Sequence, residues 1–345
     1  MTTDLKADLR ADLRADLPAD LTADLTATRQ DSADTNVERA LIEKHVGDSY
    51  QVVREIGRGG MGVVFLARDV KLHRLVAIKV LRQELTQIEE QRERFRREAR
   101  VTAQLHHEGI VAVHGFGEAD DLVYIVMEYV RGVALGDRLS QVGKMEPNET
   151  RAILSQLART LEHAHAHGIV HRDLKPENIL IEHPSEGGRA RLTDFGVALS
   201  RSSDPLPSDV ARAFGTPHFM SPEQAAGELD LDGRSDVYSL GVLGYLMLTG
   251  KPPFTGPHFA AIASKHISEA PLPVSSLVPS VPRDLSAAID RCLEKAPDRR
   301  WRRSSDLATA LEGSNNHPAL STTVSSIMRV AVLLGVAMGL SGGSS

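Results

Sequence analysis

The chain has 345 residues, enough for one large or two small domains with a sizeable core. A formal net charge of −6 gives a general nucleic-acid-binding role no electrostatic support. Cys292 is the single cysteine, which excludes an intrachain disulfide and a thiolate metal cluster and fits a reducing cytosol.

Residues 1–49 read as a low-complexity tail and linker. From Asp4 to Ala27 an approximate x-Ala-Asp-Leu unit reads six times, five of them with Ala-Asp-Leu intact. On a helix a period of four drifts by about 40° per repeat, so the leucines spiral around the axis, and Pro18 interrupts them. A disordered tail is therefore preferred over an amphipathic segment. Met1–Ala27 lacks the apolar stretch of a signal peptide.

A globular region is expected over 50–312. Tyr50–Glu55, Gly62–Arg68 and Arg74–Leu81 are short β-branched runs parted by Gly or polar turns, the pattern of an antiparallel meander. A helix is predicted from about Gln87 to Leu105, with Phe95, Ala99, Thr102 and Leu105 on its inner face. Glu90/Arg94 and Glu93/Arg97 pair on its wet side. Ile110–Gly115 and Leu122–Tyr129 add two strands. After Gly132 the pattern turns helical. Glu149–Ala166 carries Ile153, Leu154, Leu157 and Leu161 on one face and stops at Gly168. Asp236–Leu248 is apolar nearly all round and predicts a buried helix. Residues 313–345 form a polar linker and a short apolar run, Ile327–Leu340. That run is short for a membrane span, and Arg329 suits a cytoplasmic flank. An anchor at the inner face of the cell membrane and a frayed or truncated tail both stay open.

Gly57-Arg58-Gly59-Gly60-Met61-Gly62 matches G-x-G-x-x-G, a spacing that dinucleotide-binding proteins share. There the glycines open a helix. Here the β-type run Val63–Leu66 follows, so the loop joins two strands, as a plain hairpin also does. The most specific signal is His171-Arg172-Asp173-Leu174-Lys175-Pro176-Glu177-Asn178, with Asp194-Phe195-Gly196 beyond it. One aspartate can accept the proton of an attacking hydroxyl. The lysine can neutralise a travelling phosphoryl group, and Asn178 with Asp194 can hold Mg²⁺ through hard oxygens. His163, His165 and His167 resemble a metal tract, but residues two apart on a helix do not face each other, so packing or surface roles are expected.

With these motifs in this order the chain resembles the protein-kinase family, and within it the bacterial, eukaryotic-type (Hanks-type) serine/threonine kinases. The resemblance implies an α+β bilobal fold. Its N-lobe, about 50–130, would hold a five-stranded antiparallel sheet and one main helix. Its C-lobe, about 131–312, would be mostly helical. It implies transfer of the γ-phosphoryl of ATP, with Mg²⁺ (or Mn²⁺), to Ser or Thr of protein substrates, and autophosphorylation of an activation loop. Ile56, Gly57, Gly59, Gly62, Val64, Ala77, Lys79, Met127, Glu128, Val130 and Leu180 would line the ATP site, with Met127–Val130 as the hinge. Lys79, in Val76-Ala77-Ile78-Lys79, would contact the α and β phosphates and be held by Glu98. Asp173 would be the base and Lys175 its phosphate-steadying neighbour; Asn178 and Asp194 would be the metal ligands. Arg172 would receive a phosphate from Ser200, Ser202, Ser203 or Ser208, and Thr216 would bond near the catalytic residues. His171, Phe195 and Gly196 would be structural, as would Asp236 beneath the loop and a Glu223–Arg300 pair. Family members often activate as homodimers through the N-lobe. A pseudokinase scaffold normally lacks one of Lys79, Asp173 or Asp194. A small-molecule phosphotransferase normally lacks the long segment from Asp194 to Glu223.

Overall fold

The computed structural model describes residues 33–119, 121–195 and 217–313. The tail repeat, Gly196, the four activation-loop serines, Thr216 and the apolar C-terminal run lie outside the described residues. Among the described residues no helix is long and apolar enough to cross a membrane.

The described residues fall into two compact units. One runs up to Arg92 and takes in Gly115–Tyr129; the other comprises Glu93–His114 and the chain from Val130 onward. The first contains helix α1 (Ala33–Val46), then β1 (Tyr50–Arg58), β2 (Gly62–Asp69) and β3 (Arg74–Leu81). Helix α2 (Glu89–Thr102) starts here, and β4 (Val113–Ala119) and β5 (Leu122–Glu128) complete an antiparallel sheet in the order β1-β2-β3-β5-β4.

Side chains alternate across a strand, so this sheet has two faces of different use. Val63, Phe65 and Ala67 of β2, Val76, Ile78 and Val80 of β3 and Val126 of β5 form one apolar face. Helix α1 seals it, with Ile42 at 0% exposure inside that cluster and Leu41 and Val46 beside it. The linker expected through 33–46 is therefore a docked helix. Its apolar residues Leu41, Ile42 and Val46 recur at i, i+1 and i+5, too sparse a pattern to stand out in sequence. The opposite face carries Val64, Lys79, Ala77 and Met127, brought together by the pairings Val64↔Lys79 and Ala77↔Met127.

Helix α2 buries Phe95, Glu98, Ala99 and Thr102 along one stripe. Arg94, expected on the wet side, is buried as well. Charged contacts outside that stripe join Arg92 to Glu118 at 2.9 Å and Arg96 to Glu93 three residues back.

The second unit continues with β6 (Gly132–Ala134), α3 (Leu135–Val142), α4 (Pro147–Ala166), β7 (Ile179–Glu182) and β8 (Ala190–Leu192). Helices α5 (Gly233–Thr249), α6 (Phe259–Ser268), α7 (Arg283–Cys292) and α8 (Ser304–Glu312) follow. Strands β6, β7 and β8 form a small antiparallel sheet. Helix α5 is buried along nearly its whole length and packs against α4 and α7, while α8 packs on α4. Asp232 caps the start of α5 by accepting Arg234 N–H at 2.9 Å, and Gly250, with φ of 76°, ends it. This helix is the platform for the loop that follows α4.

Candidate active site

In the first unit the glycine-rich turn between β1 and β2 closes on itself, Gly59 N–H donating to Gly62 O at 2.8 Å. A Cβ on Gly62 would lie 2.4 Å from Val80 O, so the sheet itself demands glycine there. Gly57, Gly59 and Gly60 differ: among the described residues, a Cβ on any of them would meet no atom closer than 3.9 Å. The protein's own packing leaves that space open, which suits a loop whose backbone must approach a phosphate. Lys79 and Ala77 lie on the same face of β3 and are buried, as is Met127 on β5. Ile56, Gly57 and Glu128 are half-buried.

In the second unit Glu98 lies on α2, buried in the stripe with Phe95 and Ala99. Val130 and Leu180 are half-buried. The hairpin β7–β8 brings the two stretches of the catalytic motif together. Ile179 pairs with Leu192, and Thr193 N–H donates to Asn178 O at 3.0 Å. Asn178, at the start of this hairpin, therefore lies opposite Thr193, the residue before Asp194, despite their separation in sequence.

Asp173 sits at the centre of a tight network. Its Oδ2 accepts from Lys175 Nζ at 2.6 Å and from Asn178 Nδ2 at 3.1 Å. The same Asn178 amide nitrogen donates to Asp173 O at 2.8 Å. Asp173 Oδ1 has no hydrogen-bond partner among the described residues, which leaves it available to accept a proton. Both Asn178 N–H groups are directed at Asp173, so its amide oxygen is the atom left for a ligand. That oxygen and the Asp194 carboxylate form a hard donor set that fits Mg²⁺.

The backbone of this loop is strained and anchored. Arg172 has φ of 67° and Asp194 has φ of 57°, left-handed values that side chains bearing a Cβ adopt at a cost. Asp236, wholly buried on α5, accepts His171 N–H at 2.8 Å and Arg172 N–H at 2.9 Å. Burial pushes the Asp236 carboxyl up, but His165, His171 and the backbone donors outweigh it and hold it below the usual range. His171 is fully buried and stacks on Phe195 with centroids 4.6 Å apart. Its Nδ1 accepts Asp173 N–H at 3.3 Å, which assigns the proton to Nε2, 3.2 Å from Thr193 O. Burial lowers its pKa and favours the neutral ring that this arrangement needs.

Glu223 accepts both arms of the Arg300 guanidinium, at 2.7 and 2.8 Å, and Ser235 Oγ at 2.6 Å. The pair joins the turn Pro222–Ala225 to the segment before α8.

Two participants escaped the sequence reading. The sequence groups His165 with His163 and His167, yet its Nε2 lies 2.7 Å from Asp236 Oδ2. Only the packing of α4 on α5 reveals this. Gln224 donates from Nε2 to Arg172 O at 2.7 Å. The Ser221-Pro222-Glu223-Gln224 spacing, a capping box, was a signal that could have singled it out.

A model of the protein kinase domain family matches residues 50–311. The chain belongs to the protein kinase family. It is 39% identical over 305 residues to the serine/threonine-protein kinase PknB of Mycobacterium tuberculosis, covering 86% of this chain and 48% of that protein. To the serine/threonine-protein kinase PrkC of Bacillus subtilis it is 40% identical over 267 residues, covering 77% of this chain and 40% of that one. The crystal structure of the Mycobacterium tuberculosis PknI kinase domain superposes with a TM-score of 0.60 at 30% identity, covering 77% of this chain and 96% of that one. The chain thus spans about half or less of the length of the curated relatives it matches. Protein kinases as a family work with ATP and Mg²⁺.

Proposed function

We propose that this chain is a serine/threonine protein kinase that transfers the γ-phosphoryl of Mg·ATP to Ser or Thr hydroxyls of proteins, its own activation segment included. The observation that carries the reading is the Asp173 network, which fixes one carboxylate oxygen and leaves the other for a substrate proton. Relatives named as serine/threonine kinases support the acceptor class.

The acceptor hydroxyl oxygen bonds to the γ-phosphorus while the bond from that phosphorus to the β–γ bridging oxygen breaks, releasing ADP. The hydroxyl proton passes to Asp173 Oδ1. Lys175, already placed at Asp173, offers positive charge to the transferring group, and Lys79 does the same for the α and β phosphates. Asn178 and Asp194 would hold Mg²⁺, which when bound neutralises the phosphate oxygens. The open glycines let backbone N–H groups reach them. Arg172 is the proposed receiver of an activation-segment phosphate from Ser200, Ser202, Ser203 or Ser208.

Incubation with γ-labelled ATP and Mg²⁺, followed by phosphoamino-acid analysis, tests this. Label on phosphoserine or phosphothreonine is expected. Protein that binds ATP but leaves all Ser and Thr unlabelled, on itself and on a basic acceptor protein, would overturn the reading.

A further inference from the structure

The peptide unit between Arg172 and Asp173 is clamped on both sides. Its N–H, that of Asp173, donates to His171 Nδ1 at 3.3 Å, and its C=O, that of Arg172, accepts from Gln224 Nε2 at 2.7 Å. The preceding peptide is held by Asp236 through Arg172 N–H. Arg172 itself, between the two planes, has φ of 67°. A left-handed arginine relaxes unless its surroundings over-determine it. The shortest of these holds comes from Gln224, a residue outside the catalytic loop.

Gln224 is itself fixed. Its Oε1 accepts Ser221 N–H at 3.0 Å, and its own N–H donates to Ser221 Oγ at 3.3 Å. Because Oε1 is committed to Ser221 N–H, the amide can only present Nε2 to Arg172. The box lies in the turn Pro222–Ala225, whose Glu223 is tied to Arg300. The carbonyl of the strained residue is thus anchored, through one side chain, to an ion-paired and capped turn.

We propose that Gln224 is a positioning residue for the phosphoryl-transfer step. It holds the Arg172–Asp173 peptide in the strained orientation that presents the Asp173 carboxylate. The inference rests on Asp173 being the base. Without the Nε2 donor the Arg172 carbonyl loses its partner, the peptide is free to rotate, and Asp173 spends less time in reacting geometry. Nucleotide binding does not use this peptide, so kcat falls while KM for ATP holds.

Three variants separate the parts. Gln224→Glu keeps an acceptor for Ser221 N–H but cannot donate to Arg172 at neutral pH. Gln224→Ala loses both links. Ser221→Ala loses the hydroxyl of the cap and keeps the Gln224 donor. Initial rates, KM for ATP, Tm and direct ATP binding are measured for each, beside Asp173→Asn. Gln224→Glu and Gln224→Ala are expected to lower kcat by about tenfold, the scale of one well-placed hydrogen bond, with KM for ATP within about twofold of wild type. Ser221→Ala is expected to lower Tm and to keep kcat. Wild-type kcat in Gln224→Glu, or kcat losses that simply follow Tm across the three, would overturn the proposal. Wild-type activity in Asp173→Asn would instead remove the base assignment, a separate failure.

Discussion

His165 Nε2 lies 2.7 Å from Asp236 Oδ2, the same oxygen that accepts His171 N–H at 2.8 Å. A single buried carboxylate therefore ties α4 to α5 and suspends the catalytic loop between them. Its two backbone partners define the loop; the imidazole adds a third contact, from α4. Asp236→Ala strands both backbone donors and the ring, and should lower the unfolding free energy by about 3–5 kcal/mol. His165→Ala leaves Asp236 with both backbone donors and should cost about 1–2 kcal/mol. Urea unfolding checks the order, and equal losses would contradict it.

Arg300 and Glu223 make a second prediction, of geometry rather than charge. The guanidinium is fully buried and spans both carboxylate oxygens while donating to the carbonyls of Glu294, Arg234 and Lys295. Lysine carries the charge but not the planar fork. Arg300→Lys should therefore recover less than half of the stability lost in Arg300→Ala, which is expected to be about 3–5 kcal/mol. Full recovery with lysine, by the same unfolding measurement, would show that charge alone suffices.

His266 sets an acid limit. Its Nδ1 lies 2.9 Å from Tyr238 Oη, its ring stands edge-on to Phe254, and Lys295 Nζ donates to its carbonyl at 2.8 Å. Burial, then the nearby Lys295 charge, pushes its pKa down to about 4. The folded state keeps this ring neutral, whereas the unfolded chain takes up the proton below about 6.5. The stabilisation is complete above pH 6.5 and is lost as pH falls toward 4. It amounts to about 3 kcal/mol for this one group. A ring-proton NMR titration should give a midpoint near 4 for His266; a midpoint at 6 or above would contradict the burial argument.

Helix α1 is predicted to be part of the folded first unit. Ile42 is fully buried in the same apolar cluster as Val63, Phe65 and Ile78. Ile42→Ala should cost about 2–4 kcal/mol and lower Tm by several degrees. A change of less than one degree would mean that the helix leaves the sheet without consequence.

Legibility in the sequence followed locality. Asp173, Lys175 and Asn178 stand within six positions, so their spacing alone displays the chemistry. The sheet followed from β-branched runs, and the central helix from its apolar circumference. Glu223 and Arg300 lie 77 positions apart, and only the family resemblance joined them beforehand. His165 was hidden because its function depends on a helix packing 71 positions away. The pattern puts Arg94 in water because i,i+4 spacing says which residues share a face, and nothing about what covers that face. The α1 sequence reads as linker because few of its residues are apolar, and the sheet face it covers is assembled from strands that follow it.

The most direct test of the central claim is phosphoryl transfer by Asp173→Asn beside wild type, with ATP binding measured on both. The substitution keeps the shape and the hydrogen-bonding size of the side chain and removes the proton acceptor. Wild type should label Ser or Thr, while Asp173→Asn binds ATP with similar affinity and transfers at least a hundredfold more slowly, the range expected for loss of a general base. Equal transfer by the two proteins would contradict the account.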